Sequence, residues 1–350
     1  IGEANYDIGH LFHEDTDNGN AGAIGSVCQD NIKGSAFSSA LSPQGDTFDL
    51  DFVVHEIGHQ FGANHTWSFD SEGTQVQVEP GSGTTLMAYA GIVAGNNVAQ
   101  NSDDYFHYKS LEQIVEYLQG TSCAVETALT NSPPVIVSTG DFTIPAGTAF
   151  VLTANATDTD GGDVLTYCWE QTDNGIVTRT SFGPTQVAGA NFRSLRPTTD
   201  PSRYFPKLSE ISAGNLTQTN PGINTAWETV STVQRDLNFS LTVRDNATGG
   251  GQVDSDEIRV SVTEDAGPFV VTSQNSAESF AAGSVQEISW DVANTDQNPV
   301  NAQTVNIFLS LDGGLSFPLQ LADDVLNDGS HEVLLPGMTT SVGRVMVQAS

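Results

Sequence analysis

The sequence predicts a multidomain protein in which a mixed α/β (α+β) domain is followed by two all-β, immunoglobulin-like sandwich modules. Its 350 residues are enough for two or three ordinary domains. Apolar residues recur at helical spacing only as far as Cys123, and beyond that point they alternate with polar residues as in half-buried strands. We therefore expect domains at residues 1–132, 133–265 and 266–350.

Two helices are expected in the first domain. One covers residues 52–61, and the other covers the segment "SLEQIVEYL" from Ser110. Ser110 and Gln113 have the spacing of a capping box at the start of the second helix. Four apolar residues then fall on one face of that helix: Leu111, Ile114, Val115 and Leu118.

The alternating pattern starts after the linker "TNSPP" and breaks once more at "TEDAGP". The strands expected before that break contain Phe150, Leu152, Ala154; Leu165, Tyr167, Trp169; Leu237, Phe239, Leu241, Val243; and Ile258, Val260, Val262. Those after it contain Ile288, Trp290, Val292 and Val305, Ile307, Leu309, Leu311.

The net charge of −32 comes from 43 acidic and only 11 Lys and Arg residues. Such a surface repels phosphate backbones and anionic lipid, so nucleic-acid and membrane-surface partners are not expected. No run approaches the ~18 apolar residues of a membrane span. The acidic residues are scattered, which suits either a solvated surface or the binding of cations.

The stretch "VVHEIGHQFGANH" contains three of the seven histidines of the chain. On a helix, His55 and His59 lie on one face a turn apart, with Glu56 beside them. A hydrolytic zinc site needs three protein ligands, and His65 is the nearest third donor. Gly62 can adopt the left-handed conformation that ends a helix and turns the chain back. A third ligand from a distant glutamate, or histidines that merely solvate a short helix, are the other interpretations.

These five residues match HExxHxxGxxH, and the chain thereby resembles the metzincin zinc endopeptidases. The methionine turn of that family is matched by Met87 in "GTTLMAYAG". The segment "AGAIGSVCQD" is similar to the substrate-binding edge strand of adamalysin/reprolysin-like enzymes. Later segments, "FRSLRPTTDPSRYFP" and "LNFSLTVRDN", resemble secreted bacterial reprolysin-like metallopeptidases.

The resemblance implies a zinc-dependent hydrolysis of peptide bonds in which Glu56 acts as general base and then as general acid. Tyr89 lies two residues after Met87, as in astacin-, serralysin- and pappalysin-like metzincins. Its hydroxyl would ligate zinc or donate a hydrogen bond to the developing oxyanion. A buried structural tyrosine is the alternative.

The expected function is therefore that of a secreted zinc endopeptidase acting on peptides or proteins. The alternative is an adhesion or binding protein whose β-modules carry the function beside a vestigial peptidase domain. Only about twenty residues precede "AGAIGSV". Since a two-stranded ribbon is marginal in water, we expect an upstream segment or chain to complete the catalytic sheet.

A second cation site is expected near Asp158, Asp160 and Asp163 in "ATDTDGGDV", where carboxylate oxygens suit Ca²⁺. Asp245, Asp254 and Asp256 would join it if the strands bring them together. A solvated turn is the other interpretation.

Three cysteines, Cys28, Cys123 and Cys168, are too few for a disulfide scaffold. In an exported protein we expect Cys28 to pair with Cys123 and Cys168 to remain a free thiol.

Overall fold

The computed structural model describes residues 2–350. A 3₁₀ turn, Glu3–Asn5, precedes a three-stranded sheet. Its strands are β1 (His10–Glu14), β2 (Asn18–Asn20) and β3 (Ala36–Ala40). The central strand β3 is parallel to β1 and antiparallel to β2, so β2 is an edge strand.

The predicted edge strand "AGAIGSV" is wrong, because residues 21–27 form turns. The backbone amides of this segment donate hydrogen bonds to the end of α2 instead of to a neighbouring strand. The amide of Gly25 donates to the carbonyl of His59 (2.8 Å), and that of Ser26 donates to the carbonyl of Gln60 (2.9 Å). Since the last carbonyls of a helix have no partner within it, this segment caps the histidine-bearing helix instead of pairing as a strand.

The helix that carries the first two histidines is longer than predicted. It begins with α1 (Asp46–Phe48), passes through a π-helical segment (Asp49–Val54) and ends as α2 (His55–Gln60). The predicted left-handed turn after it is confirmed, since Gly62 has φ of 99°.

The second helix, α3 (Tyr108–Gln119), is present, but the predicted capping box is wrong. The helix is capped by His107, whose Nδ1 accepts from the amide of Lys109 (3.1 Å), and Ser110 lies inside its first turn. The side chain of Gln113 accepts instead from the amide of Asn64 (2.8 Å). The sequence thus predicted the helix but placed its start two residues late.

The alternating pattern after the linker is confirmed as strands. These are β4 (Val135–Ile136), β5 (Phe142–Pro145), β6 (Phe150–Thr153), β7 (Ala156–Thr157), β8 (Thr166–Gln171), β9 (Ser202–Phe205), β10 (Arg235–Arg244) and β11 (Val253–Thr263). A short helix, α4 (Leu208–Ser212), follows β9. One sheet has the order β5-β11-β10-β8, and β4-β7 and β6-β9 are two-stranded. Leu237, Phe239, Leu241 and Val243 alternate into a shared core, as expected.

The last part of the chain forms two three-stranded sheets with the orders β12-β13-β16 and β15-β14-β17. Their strands are β12 (Val270–Val271), β13 (Val285–Asp291), β14 (Thr304–Ser310), β15 (Leu319–Leu326), β16 (Ser330–Leu334) and β17 (Arg344–Ala349). Ile288, Trp290, Val305 and Ile307 are buried in the core that these strands share.

The first β-rich part packs closely on the chain that precedes it. The amide and carbonyl of Val177 bond to Ser68 and Gly81 at 2.9 and 2.8 Å. Val98 shares a buried cluster with Val177, Phe182 and Trp227. The segment that follows the third histidine is therefore supported from the side of the β-strands.

Candidate metal centre

Three histidines converge at the end of α2. His55 and His59 are one helical turn apart, and the turn at Gly62 brings His65 back toward them. Their Nε2 atoms are 3.1 Å (His55–His59), 3.0 Å (His59–His65) and 3.3 Å (His55–His65) apart. Nitrogens held at the usual Zn–N distance around a tetrahedral ion are about 3.3 Å apart, so the spacing fits one zinc ion.

The opposite ring nitrogens fix the tautomer of each histidine. Nδ1 of His55 lies 2.7 Å from the carbonyl oxygen of Leu86, and Nδ1 of His59 lies 2.7 Å from that of Ala63. Nδ1 of His65 lies 2.7 Å from Oε1 of Glu72. Because these oxygens accept hydrogen bonds, each Nδ1 carries the proton and each Nε2 presents a lone pair to the common centre. Three facing lone pairs repel one another, and a bound cation would remove that repulsion.

The surroundings also favour the neutral form of each histidine, which metal binding requires. Burial, with the neighbouring His59, lowers the pKa of His55 to about 3. Burial, with His59 and His55, lowers the pKa of His65 to about 2. Burial likewise lowers the pKa of His59.

Glu56 lies beside strand β2, next to the histidine cluster. A Cβ atom added to Gly19 would overlap Oε1 of Glu56, so a side chain at that position would require the Glu56 carboxylate to shift. Burial raises the pKa of Glu56 to about 7, against the opposing hydrogen bond from the backbone of Ala21. A carboxyl group with a pKa near neutrality is suited to taking up and returning a proton.

Met87 packs against α2, and Tyr89 lies beside the histidines. Met87 is fully buried, and its sulfur packs so closely on Gly58 that a Cβ there would overlap it. The ring of Tyr89 is 4.5 Å from that of His65 and 5.6 Å from that of His55, measured between centroids. Burial, with the charges of Glu72 and Glu56, raises the pKa of Tyr89 to about 12, so its hydroxyl remains a donor at neutral pH.

Several residues of this centre were not predicted from the sequence. Glu72 is seven residues beyond His65, and Gly19 lies on a separate strand, so no local spacing relates them to the motif. Trp67 stacks on Phe69 at 4.1 Å and lies 5.7 Å from the ring of Tyr89. For Trp67, the signal in the sequence was the alternation of the aromatic residues Trp67 and Phe69 after His65.

The acidic cluster forms with a different membership from the predicted one. Carboxylate oxygens of Asp158, Asp163 and Asp245 lie within 4.8 Å of one another. Asp160 does not join them, because its carboxylate accepts from the amide of Ser132 (2.6 Å). Asp254 is held by the amide of Ile136 (2.9 Å), on the adjacent strand β4.

The predicted disulfide is confirmed. Cys28 is bonded to Cys123, with Cα atoms 5.6 Å apart, and ties the loop beneath α2 to the chain just after α3. Cys168 is a buried free thiol, and burial raises its pKa well above the usual range.

Within residues 2–350, no helix has the length and apolar character that a membrane crossing requires.

The three histidines could therefore hold a metal ion, with Glu56 next to them in the chain and Met87 packed against the same helix. Residues 1–117 match the model of the metallopeptidase family M12B, reprolysin-like. This part of the chain is therefore similar to the reprolysin-like metallopeptidases, a family that implies zinc and peptide or protein substrates.

No curated protein matches the chain. Among solved structures, the chain is similar to a chimeric titin Z1Z2 carrying a peptide from decorin, with 10% identity and a TM-score of 0.18 over 63% of this chain and 92% of that one. The titin Z1Z2 domains in complex with telethonin align with 11% identity and a TM-score of 0.19, over 63% and 92% of the two chains. SGBP-B of the Bacteroides ovatus mixed-linkage glucan utilization locus, in complex with a mixed-linkage heptasaccharide, aligns with 13% identity and a TM-score of 0.17, over 63% of this chain and 45% of that one. Alignments with such scores carry no argument about this chain.

Proposed function

We propose that this chain is a secreted zinc-dependent endopeptidase that hydrolyses peptide bonds with Glu56 as general base and general acid. The convergence of three Nε2 lone pairs at 3.0–3.3 Å, each fixed by an acceptor at Nδ1, is the observation that carries the proposal. His55, His59 and His65 would hold the ion. Zinc so bound supplies Lewis-acid chemistry, lowering the pKa of water and polarising a carbonyl.

Glu56 moves the proton. Its raised pKa, about 7, lets the carboxylate take a proton from the attacking water and return it to the leaving amine. The hydroxyl of Tyr89 remains protonated and would donate to the oxyanion that forms on the scissile carbonyl. No covalent intermediate with the protein is needed.

Strand β2 would align the substrate. It pairs with β3 on one side only, and Gly19 at its centre faces Glu56. A peptide that paired with the free edge of β2 through backbone hydrogen bonds would pass close to the general base, Glu56. In this arrangement β2, and not the segment "AGAIGSV", would be the strand that binds the substrate.

The Cys28–Cys123 disulfide supports export, because such bonds persist in oxidising surroundings. The domain limits 1–132, 133–265 and 266–350, and the immunoglobulin-like character of the last two, are part of the proposal. The close packing of Val177 on Ser68 and Gly81 suggests that the second domain supports the peptidase centre.

The test compares Glu56→Gln with His59→Ala. Glu56→Gln should retain zinc but lose peptidase activity by several orders of magnitude, whereas His59→Ala should lose both. Wild-type protein that binds zinc and cleaves no peptide in a broad library would favour the alternative, a binding protein with a vestigial peptidase domain. Full activity in Glu56→Gln would contradict the mechanism.

A calcium site at the acidic cluster is a second proposal. Oδ2 of Asp158 and Oδ2 of Asp163 are both shielded from solvent, and neither accepts a hydrogen bond within residues 2–350. Asp245 lies beside them and is fully buried. Burial and the charges of Asp158, Asp245 and Asp160 raise the pKa of Asp163. The oxygens of Asp245 already accept from Asn131, Ala247 and Gln252, but the two donor-free oxygens of Asp158 and Asp163 favour a hard cation with oxygen ligands, as Ca²⁺ is.

A further inference from the structure

A buried carboxylate lies between the third histidine and the methionine turn. Glu79 is 1% exposed. Its Oε1 accepts from the hydroxyl groups of Thr66 (2.6 Å) and Thr85. Its Oε2 accepts from the amides of Thr84 (2.8 Å) and Thr85 (3.2 Å). Four donors from three residues therefore converge on one side chain.

These donors saturate the group. A carboxylate offers about four lone-pair sites, and all four are used here. Within residues 2–350, Lys and Arg form no ion pair with Glu79, so hydrogen bonds alone stabilise its charge. The amides of Thr84 and Thr85 can only donate, so the oxygen that faces them must remain an acceptor. A glutamine could keep its oxygen there, but its NH2 group would then face the hydroxyls of Thr66 and Thr85, which would have to turn their hydrogens away and lose their acceptor.

The donors belong to the two segments that hold the first and third histidines. Thr66 directly follows His65, and its amide donates to the carbonyl of Met87 (3.1 Å). Thr84 and Thr85 directly precede Leu86, whose carbonyl accepts the Nδ1 proton of His55. Glu79 therefore connects the backbone next to one ligand with the backbone that orients the other.

We propose that Glu79 is a positioning residue that sets the placement of His65 relative to His55 and so determines how tightly the centre holds zinc. This inference rests on the zinc site proposed above. Glu79 is connected to the histidines only through its hydrogen bonds to Thr66, Thr84 and Thr85. Because it contacts no reacting group, its effect should appear first in metal affinity and in coordination geometry.

The test is the zinc Kd of full-length Glu79→Gln, measured by competition with a chelator, together with the visible spectrum of the Co²⁺-substituted protein. Outer-shell partners of metal ligands typically change affinity by about 10- to 100-fold, and an increase in Kd of that size is expected. The Co²⁺ spectrum should change as well, because the ligand nitrogens shift.

Glu228→Gln is the matched control. Glu228 is also 1% exposed, and it accepts from Arg203 (3.0 Å) and from the amide of Lys207 (2.9 Å), away from the histidines. Glu228→Gln should lower Tm without changing the zinc Kd or the Co²⁺ spectrum. An unchanged Kd in Glu79→Gln would overturn the proposal, even if its Tm fell as much as that of the control.

Thr85 provides a second test in case Glu79→Gln does not fold. Thr85→Val removes one hydroxyl donor to Glu79, whereas Thr85→Ser retains it. A higher zinc Kd in Thr85→Val, restored in Thr85→Ser, supports the proposal, and equal values in both variants and the wild type overturn it. Wild-type protein that binds no zinc would instead refute the proposed function, so the two failures are distinguishable.

Discussion

The Nδ1 atom of His55 lies 2.7 Å from the carbonyl oxygen of Leu86, one residue before Met87. The first ligand is thus oriented by a segment 31 residues further along the chain rather than by its own helix. The same turn receives the amide of Thr66, next to the third ligand. The methionine turn therefore acts as a shared support for two of the three histidines.

Gly19→Ala should impair catalysis without removing zinc. The added Cβ would overlap Oε1 of Glu56 and displace the carboxylate from its position beside the site. A displacement of about 1 Å can cost about 100-fold in rate, so we expect kcat to fall by about that factor while zinc content remains at the wild-type level. Steady-state kinetics with metal analysis would measure both.

Gly337→Ala is the control, since a Cβ at Gly337 meets no atom within 4 Å. It should behave as the wild type. An unchanged kcat in Gly19→Ala would show that the position of the Glu56 carboxylate does not depend on the lack of a side chain at Gly19.

Tyr89→Phe should lower kcat by about 10- to 1,000-fold, as the loss of one oxyanion donor does. Zinc content should change little, because the three histidines remain. Tyr105→Phe removes a buried hydroxyl that bonds Ser194 at 2.6 Å and should reduce stability without reducing kcat. Equal kcat in Tyr89→Phe and wild type would make Tyr89 a structural residue.

Calcium should stabilise the full-length protein against unfolding, with a gain of about 2.7 kcal/mol at one hundred times Kd. Asp163→Asn should abolish this gain, whereas Asp160→Asn should largely keep it, because Asp160 bonds the amide of Ser132 instead. Thermal unfolding with calcium and with chelator measures the difference. A Tm independent of calcium would leave the cluster a solvated turn.

The stability of the calcium-free protein should depend on pH in a defined direction. Because burial and neighbouring carboxylates raise the pKa of Asp163, its ionised form opposes folding at neutral pH. Protonation of Asp163 removes this destabilisation as the pH falls through the raised pKa of the carboxyl group. With chelator present, Asp163→Asn should therefore be more stable than wild type at pH 7, and the difference should shrink on acidification. A difference independent of pH would contradict this cause.

The zinc motif could be predicted because its five residues lie within eleven positions of one helix and turn. There the geometry of the α-helix and the conformational freedom of Gly62 determine which side chains meet. The same holds for the alternating strands, since a period of two already separates the buried face from the exposed one.

What could not be predicted depends on long-range pairing. Residues 21–27 resemble the edge strand of reprolysin-like enzymes in sequence, yet their amides pair with the end of α2. Asp245 replaces Asp160 in the acidic cluster only because the end of β10 lies beside the loop before β8. Glu79 and Glu72 bond to residues whose neighbourhood is fixed by the tertiary fold, and neither has a sequence signal of its own.

The coordination of zinc in the full-length protein, measured by X-ray absorption together with metal content, tests the central claim most directly. The account predicts one zinc per chain with three imidazole nitrogens at about 2.0–2.1 Å, and a loss of one nitrogen ligand in His65→Ala. A protein without zinc, or a first shell unchanged by His65→Ala because a carboxylate holds the third position, would contradict it.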